Sequence, residues 1–150
     1  MCNCLKQPKL YFQLLNGNKF TPKRGTKTSS GLDVFCPKEV IVEARKDLLL
    51  PLDLRFEIPE GWDLAVYNKS GVATKKKLIK GAELIDSDYR GNCHLHVFNM
   101  SDTDITIKKG EKITQLVMRE VWLGELLQKD EIDTITNRGQ GGFGSTGSKF

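Results

Sequence analysis

Apolar and polar residues alternate without a break over residues 52–58 (LDLRFEI), the period of a strand with one buried face. Pro59 and Gly61 follow and are typical of a turn. Residues 62–67 (WDLAVY) then alternate again. The two stretches therefore predict a β-hairpin.

Further short strands are predicted over residues 94–98 and 105–107, with turns at residues 101–104 and 108–111. The run at 113–122 is apolar on both faces, as in a central strand. Short strands at this spacing indicate an all-β chain, folded as a β-sandwich, a jelly roll or a barrel.

One short helix is predicted after Ser70, which takes the N-cap position before residues 72–77 (VATKKK). The lysines 75–77 could form a basic patch. A solvated helix end is the simpler interpretation, because cations are favourable at a helix C-terminus.

Composition indicates one domain of 150 residues, with 39% hydrophobic and 28% charged residues. No apolar run is long enough for a membrane span, and the first residues lack the apolar core of a signal peptide, so neither membrane insertion nor secretion is expected. A net charge of +4 is too small to indicate a nucleic-acid partner. The four scattered cysteines predict reduced thiols, and His94 and His96 alone do not make a metal site.

Residues 138–147 (RGQGGFGSTG) contain five glycines, whose main-chain N–H groups can converge on an anion. Arg138 can fork onto a phosphate, Ser145 and Thr146 add hydroxyls, and Phe143 offers a face for a ring. Ser145 stands where a P-loop would have its lysine, so a P-loop NTPase is excluded. A lid that orders on a ligand and an unstructured tail both remain open.

In residues 81–92 (GAELIDSDYRGN), Asp86 follows aliphatic residues at a predicted strand end, a position suited to a raised pKa and to general-base catalysis. Tyr89 could pack on a sugar. Asp86 and Asp88 would share one side if the strand continued, so metal ligation and a plain acidic surface turn stay open.

Three further segments carry polar groups. Residues 68–71 (NKSG) form either an anion site or an ordinary helix cap. In residues 30–34 (SGLDV), Asp33 is expected to be exposed or capping. In residues 110–117 (GEKITQLV), Gln115 interrupts an apolar strand, where its amide must find partners.

In this order, the five segments resemble the five motifs of the trimeric dUTPase family, over residues 29–147. Residues 85–91 match the third motif and residues 138–147 match the fifth. The resemblance implies a distorted jelly-roll homotrimer with shared active sites. A domain of residues 1–137 would carry a flexible glycine-rich arm, residues 138–150, that closes over a neighbouring subunit's site.

The implied reaction is attack of water on the α-phosphorus of dUTP, which gives dUMP and pyrophosphate, limits uracil in DNA and supplies dUMP for dTMP synthesis. By resemblance, Asp86 is the general base and Gln115 helps to hold the water. Mg²⁺ is held mainly by the triphosphate, with Asp33 reached through water. Substrate binding is implied for Lys69, Ser70, Gly71, Gly81, Ala82, Glu83, Leu84, Tyr89, Arg138, Gly142, Phe143, Gly144, Ser145 and Thr146.

Together with the composition, the resemblance predicts a cytoplasmic location, or a nuclear one for a eukaryotic or viral source, and the small net charge and the lack of a long apolar run predict no nucleic-acid or membrane partner. Leu32 replaces the usual aromatic of the first motif. Asn68 and Lys69 replace a Pro-Arg pair, so a forked guanidinium becomes a point charge. Glu83 and Lys80 lie beside the expected base pocket, and Glu83 would alter base selectivity if it pointed inward.

Three other functions compete with dUTP hydrolysis. dCTP deaminases share the fold but need a catalytic Glu where this chain has His96. A dUTPase-like trimer that binds nucleotide to control a protein partner could coexist with catalysis. A nucleic-acid-binding jelly roll would require a stronger basic stripe with interleaved aromatic residues.

Overall fold

In the computed structural model, which describes residues 7–142, the chain forms short strands and one helix. The elements are β1 (Tyr11–Leu14), β2 (Lys23–Arg24), β3 (Leu32–Phe35), β4 (Val40–Val42), β5 (Asp47–Pro51), β6 (Leu54–Glu57), β7 (Trp62–Asn68), α1 (Ser70–Lys76), β8 (Leu78–Lys80), β9 (Leu84–Ile85), β10 (His94–Asn99), β11 (Ile105–Ile107) and β12 (Lys112–Glu120).

The largest sheet has five strands in the order β2-β3-β12-β7-β9. The other sheets are β5-β10-β8, β1-β6 and β11-β4, and over residues 7–142 none of the four sheets closes into a barrel. As predicted, β12 is a central strand, antiparallel to β3 on one side and to β7 on the other. It ends at Glu120, short of the predicted limit, and Trp122 beyond it is 72% exposed.

The predicted hairpin between residues 52–58 and 62–67 is wrong. The alternation itself is confirmed, since Leu54 and Phe56 are buried and their neighbours in β6 are exposed. However, β6 pairs with β1, whereas β7 pairs with β12 and β9. The reason is that Leu64, Ala65 and Val66 are all buried, so β7 has two covered faces and belongs inside the larger sheet.

The hydrophobic core lies between the sheets. Its largest fully buried apolar side chains are Leu50, Leu52, Leu54, Leu64, Leu78, Ile107, Leu116, Val34 and Val42. Cys36 and Cys93 are free thiols inside this core, and burial raises the pKa of Cys93 to about 11.

The helix α1 runs from Ser70 to Lys76, so Ser70 is its first residue and not its N-cap as predicted. Lys69 occupies the cap position with extended backbone angles and no side-chain capping bond. The helix begins one residue early because the carbonyl of Lys69 accepts from the N–H groups of Val72 and Ala73. It ends where Lys77 takes φ +58°, with Lys75 and Lys76 in the last turn as expected.

The predicted fold class is confirmed: the chain has an all-β fold of the jelly-roll type with one short helix. Residues 121–142 follow the last strand and contain no helix or strand. Over residues 7–142, every helix falls short of the length and apolar character that a membrane crossing needs.

Candidate active site

Asp33 lies in β3 with a side chain that is almost completely removed from solvent, 5% exposed for the residue. Its two carboxylate oxygens each contact an ammonium group. Lys69 Nζ is 2.9 Å from Oδ1, and Lys112 Nζ is 2.8 Å from Oδ2. The expectation of an exposed or capping Asp33 is therefore wrong, because Lys112 of the neighbouring strand β12 and Lys69 at the start of α1 supply two cations that allow the carboxylate to be buried.

Burial by itself would raise the pKa of Asp33, since desolvation disfavours the charged carboxylate. The hydrogen bonds and charges of Lys112 and Lys69 outweigh burial, and the pKa of Asp33 lies below its ordinary value. Asp33 is therefore an anion at neutral pH that neutralises two neighbouring cations.

Lys112 was not predicted as a site residue, although it lies within the segment 110–117. Its ladder partner in β3 is Phe35, and the register shifts between Lys112 and Thr114. Only the pairing of β12 with β3 brings this lysine to Asp33. The alternation of polar and apolar residues gave no signal for Lys112, because a lysine at a polar position of a strand usually faces solvent.

Gln115 is the direct ladder partner of Asp33 across β3 and β12. Its side-chain Nε2 donates to the main-chain carbonyl of Asn68 at 3.0 Å. A Cβ on Gly31 would lie 2.6 Å from Gln115 Oε1, so the glycine of the first motif makes room for this amide. Gln115 is only partly buried, so its amide is less enclosed than the apolar strand pattern predicted, and the Asn68 carbonyl supplies one partner.

Residues 81–83 join β8 to β9, and these two strands do not pair with each other. β8 pairs with β10 in one sheet and β9 pairs with β7 in another. Three hydrogen bonds hold the main chain of residues 80–83. Lys80 N–H donates to Asn68 Oδ1 at 2.8 Å, and Gly81 N–H donates to the His96 carbonyl at 2.7 Å. The Glu83 carbonyl accepts from Val66 N–H at 2.8 Å.

Gly81 fits against the side chains of β10. A Cβ there would lie 2.2 Å from His96 Nδ1 and 2.8 Å from Phe98 Cε2, so a larger residue would push the segment away. His96 Nε2 is 3.0 Å from Asp47 Oδ2, a hydrogen bond that lowers the pKa of Asp47. Ala82 and Leu84 are exposed.

The side chain of Glu83 pairs with Lys80 across the same segment. The Glu83 side chain is 59% exposed and that of Lys80 is 18% exposed. The carboxylate therefore has a cation of its own chain as its partner.

Asp86 directly follows β9 and is exposed. Of the two aliphatic residues before it, Ile85 is buried and Leu84 is exposed, so the expected buried environment exists on one side only. Asp86 borders a cleft of about 790 Å³, whose other lining residues include Trp62, Asp63, Leu84, Asp88 and Arg90.

A turn follows Asp86, in which Tyr89 N donates to the Asp86 carbonyl at 3.2 Å. Tyr89 is 44% exposed, and its hydroxyl donates to the carbonyl of Asn92 at 2.9 Å. Gly91 leaves space for this ring, because a Cβ there would lie 2.4 Å from the Tyr89 hydroxyl. The Tyr89 side chain is therefore fixed at its hydroxyl while nearly half of the residue stays exposed.

Asp86 and Lys69, two of the predicted site residues, lie at opposite ends of β7. Ile85 pairs with Leu64, which places Asp86 beside Asp63 near the start of the strand. Lys69 follows the end of β7, six residues from Asp63. At a rise of about 3.3 Å per residue, Asp86 and Lys69 of one chain are roughly 20 Å apart.

Arg138 is exposed, and its Nε donates to the carbonyl of Gly141 at 2.9 Å. Gly139 has φ +54°, a conformation that glycine adopts without strain. Gly142 is partly buried. The predicted substrate-binding residues Phe143, Gly144, Ser145 and Thr146 lie outside the described residues. The boundary between domain and arm at residue 137 stays a prediction.

A dUTPase family model matches residues 18–147 of this chain. The chain belongs to the dUTPase family. The predicted family is therefore confirmed, and with it the prediction of an enzyme that hydrolyses dUTP.

Two named relatives are similar in sequence to this chain over most of their length. The deoxyuridine 5'-triphosphate nucleotidohydrolase of Oryza sativa subsp. japonica is 40% identical over 140 residues, which is 93% of this chain and 81% of that protein. The enzyme of the same name from fowl adenovirus A serotype 1 is 38% identical, covering 95% of this chain and 80% of the relative.

Solved dUTPases share the architecture. The dUTPase of Staphylococcus bacteriophage 80alpha with dUpNHpp superposes with a TM-score of 0.89 at 29% identity, covering 95% of this chain and 100% of that one. A variant of the dUTPase from phage phi11 of S. aureus, described with a structural Mg(II) ion, superposes at 0.76 with 28% identity, covering 83% and 98% of the two chains.

The described residues offer little for a resident metal ion. Across residues 7–142, no group of three His, Cys, Asp or Glu side chains could hold one. Both oxygens of Asp33 already face ammonium groups. This donor set fits an ion that enters with substrate phosphates and meets Asp33 only through water, because Mg²⁺ commonly keeps several waters and needs few protein ligands.

Proposed function

We propose that this dUTPase converts dUTP to dUMP and pyrophosphate in active sites built from residues of different copies of the chain, in a homotrimer. The observation that carries the proposal is the distance along β7. Asp86 and Lys69 of one chain lie roughly 20 Å apart, so a single chain cannot place both on one phosphate group. A second copy can supply the missing half.

Asp86 acts as the general base that removes a proton from the attacking water. Its position supports this role, since it is exposed at the end of β9 and borders an open cleft. A positioned base of this kind typically contributes about 10²–10⁴-fold to the rate. The bond from oxygen to the α-phosphorus forms as the bond to the pyrophosphate oxygen breaks.

Gln115, Lys69, Ser70 and Gly71 of another chain bind the phosphates. The Lys69 ammonium is close to Asp33, which fixes its position before substrate arrives. The Gln115 amide is held by the Asn68 carbonyl, Gly31 leaves room for it, and its own carbonyl oxygen can accept a hydrogen bond from the attacking water. These groups act by positioning and by neutralising charge on the leaving pyrophosphate.

Mg²⁺ enters as part of the substrate, the magnesium complex of dUTP. When bound, it neutralises phosphate charge, and water-mediated contact with Asp33 orients it. Asp33 is suited to this role because its carboxylate is held in place by Lys69 and Lys112.

Main-chain groups of Gly81, Ala82, Glu83 and Leu84 read the uracil edge. Three hydrogen bonds fix the backbone of this segment, which favours recognition by geometry. The half-exposed ring of Tyr89 packs against the deoxyribose. The fifth motif, including Arg138, Gly142, Phe143, Gly144, Ser145 and Thr146, covers the bound nucleotide.

The first experiment measures pyrophosphate release from dUTP, dCTP, dTTP and UTP, each with Mg²⁺ and with a chelator. Release from dUTP alone, with dUMP as the second product and loss on chelation, is expected. Release from dCTP or dTTP at a similar rate contradicts the uracil assignment. No release from any of the four contradicts the proposed reaction.

A complementation experiment tests the shared site. Asp86→Asn removes the base, and Ser70→Glu sets a carboxylate against the phosphates at an exposed position. Each variant alone is expected to be inactive. Trimers refolded from a mixture should regain activity, because some sites combine an intact Asp86 with an intact Ser70. Mixed trimers that stay inactive would show that each site uses a single chain.

A further inference from the structure

Asn68 contacts both halves of the proposed machinery, although its side chain had no predicted role beyond the segment 68–71 and the departure from the family's Pro-Arg pair. Its main-chain carbonyl accepts from Gln115 Nε2 at 3.0 Å. Its side-chain Oδ1 accepts from the main-chain N–H of Lys80 at 2.8 Å. A proline at this position would have no side-chain acceptor for Lys80.

The Lys80 bond holds one end of the segment that reads the base. The other anchors are Gly81 N to His96 O and Val66 N to Glu83 O, so Asn68 supplies the only side-chain acceptor among the three bonds. Lys80 also pairs with Glu83. The hydrogen bond to Asn68 fixes the backbone of Lys80. The Lys80 side chain therefore starts from a fixed position when it reaches Glu83.

We propose that Asn68 is a positioning residue for base recognition, acting through the main-chain N–H of Lys80 and not through the adjacent phosphate ligands. The inference rests on the proposed function. In the shared site, Lys69 and Ser70 of a chain serve one active site, while Lys80 to Asp86 of the same chain serve another. Asn68 therefore acts on the site that its own Asp86 serves.

The first test compares Asn68→Ala, which removes the acceptor, with Asn68→Asp, which keeps an oxygen at the same place. An unpaired, partly buried N–H should raise the KM for dUTP about tenfold in the Ala variant, with kcat within about threefold. The Asp variant should restore most of the loss. An unchanged KM in folded Asn68→Ala, or no rescue by Asn68→Asp, would overturn the proposal.

If Asn68→Ala does not fold, Asn68→Gln replaces it, because Gln keeps the amide and moves the acceptor by one methylene. The Gln variant should then show the raised KM. A wild-type KM in that variant would count against the proposal as strongly as one in the Ala variant.

Binding of dUMP, measured by calorimetry, tests the role of Asn68 independently of the proposed hydrolysis. The Kd for dUMP should rise about tenfold in Asn68→Ala, whether or not hydrolysis proceeds as described. Weaker dUMP binding with no dUTP hydrolysis by the wild type would overturn the reaction alone. Normal dUMP binding by Asn68→Ala with normal hydrolysis by the wild type would overturn the Asn68 role alone.

Mixed trimers identify the route of action. Wild-type chains are assembled with Asp86→Asn chains, and in parallel with chains carrying both Asp86→Asn and Asn68→Ala. If Asn68 acts through its own Lys80, the second change falls in sites that are already inactive, and the residual KM stays at the wild-type value. A raised residual KM would show action through Lys69 and Ser70 and would overturn the proposal.

Discussion

The carboxylates of Asp33 and Asp86 differ in whether the folded chain already supplies them with charged partners. Asp33 is buried, and each carboxylate oxygen contacts a lysine ammonium. Asp86 is exposed beside an open cleft. The first region is fixed by charge pairing between strands of one sheet, whereas the second is fixed mainly through its backbone.

In the proposed shared site, this difference separates a half that one chain prearranges from a half that a second chain would cover. The Asp33 region orders its cations before substrate binds, so little reorganisation is needed when phosphate arrives. The Asp86 cleft has apolar walls that include Leu84, Val121 and Leu123, and Leu84 and Leu123 are 57% and 65% exposed. Exposed apolar walls of this kind are typical of a surface that another chain covers.

The largest expected effect is loss of catalysis at the exposed end. Asp86→Asn should reduce kcat for dUTP by about 10²–10⁴-fold because it removes the base, and it should leave the melting temperature unchanged because the side chain is exposed. Asp130→Asn removes the same charge from another exposed position and should keep wild-type kcat. An Asp86→Asn enzyme within tenfold of wild type would remove Asp86 from the mechanism.

The next effect is on stability at the buried end. Asp33→Asn should lower the free energy of unfolding by about 2–3 kcal/mol, because it leaves Lys69 and Lys112 facing each other without an anion. Asp102→Asn breaks the exposed pair with Arg45 and should cost less than about 1 kcal/mol. Urea unfolding of the two variants measures both losses of unfolding free energy. Equal losses in Asp33→Asn and Asp102→Asn would contradict the prediction.

Acid should weaken the Asp33 region selectively. The pKa of Asp33 is lowered in the folded chain, so its stabilising contribution is complete above the unfolded value of about 3.9 and is lost as pH falls through the lower folded pKa. The melting temperature of the wild type should therefore approach that of Asp33→Asn below about pH 4. A constant difference between the two proteins from about pH 6 to pH 3 would contradict the assignment.

The smallest effect is expected at Glu83, whose ion pair with Lys80 is largely exposed on the carboxylate side. Glu83→Gln should change the ratio of kcat/KM for dUTP over dCTP by less than about threefold, because exposed pairs contribute little. Competition between the two nucleotides in one reaction measures this ratio. A change above tenfold would show that Glu83 contacts the base.

Local features of both regions could be predicted from the sequence. The alternation in β6 and the turn at Gly61, which has φ +82°, follow from neighbouring residues alone. The turn that ends at Glu111 follows likewise, and its Gly110 has φ +78°. The motifs around Asp86 and Arg138 also identified the family, since their residue types and spacing are local properties of the chain.

The pairing of strands could not be predicted in the same way. The alternation of β6 shows which face is buried but not that its partner is β1. The burial of Asp33 depends on Lys112, which is distant in sequence and reaches it only through the β3–β12 pairing. The Asn68–Lys80 bond likewise depends on how the chain between β7 and β8 returns after the helix.

The sequence by itself determined the chemical groups, their order and the strand period, because these depend on side-chain type and on the spacing of neighbours. The tertiary structure alone decided which groups meet. It buried Asp33 between two lysines, paired Asn68 with the main chain of Lys80 and set Asp86 at the opposite end of β7 from Lys69. The physical reason is that contacts between distant segments depend on the packing of the whole chain, and local periodicity carries no information about which strand becomes the partner.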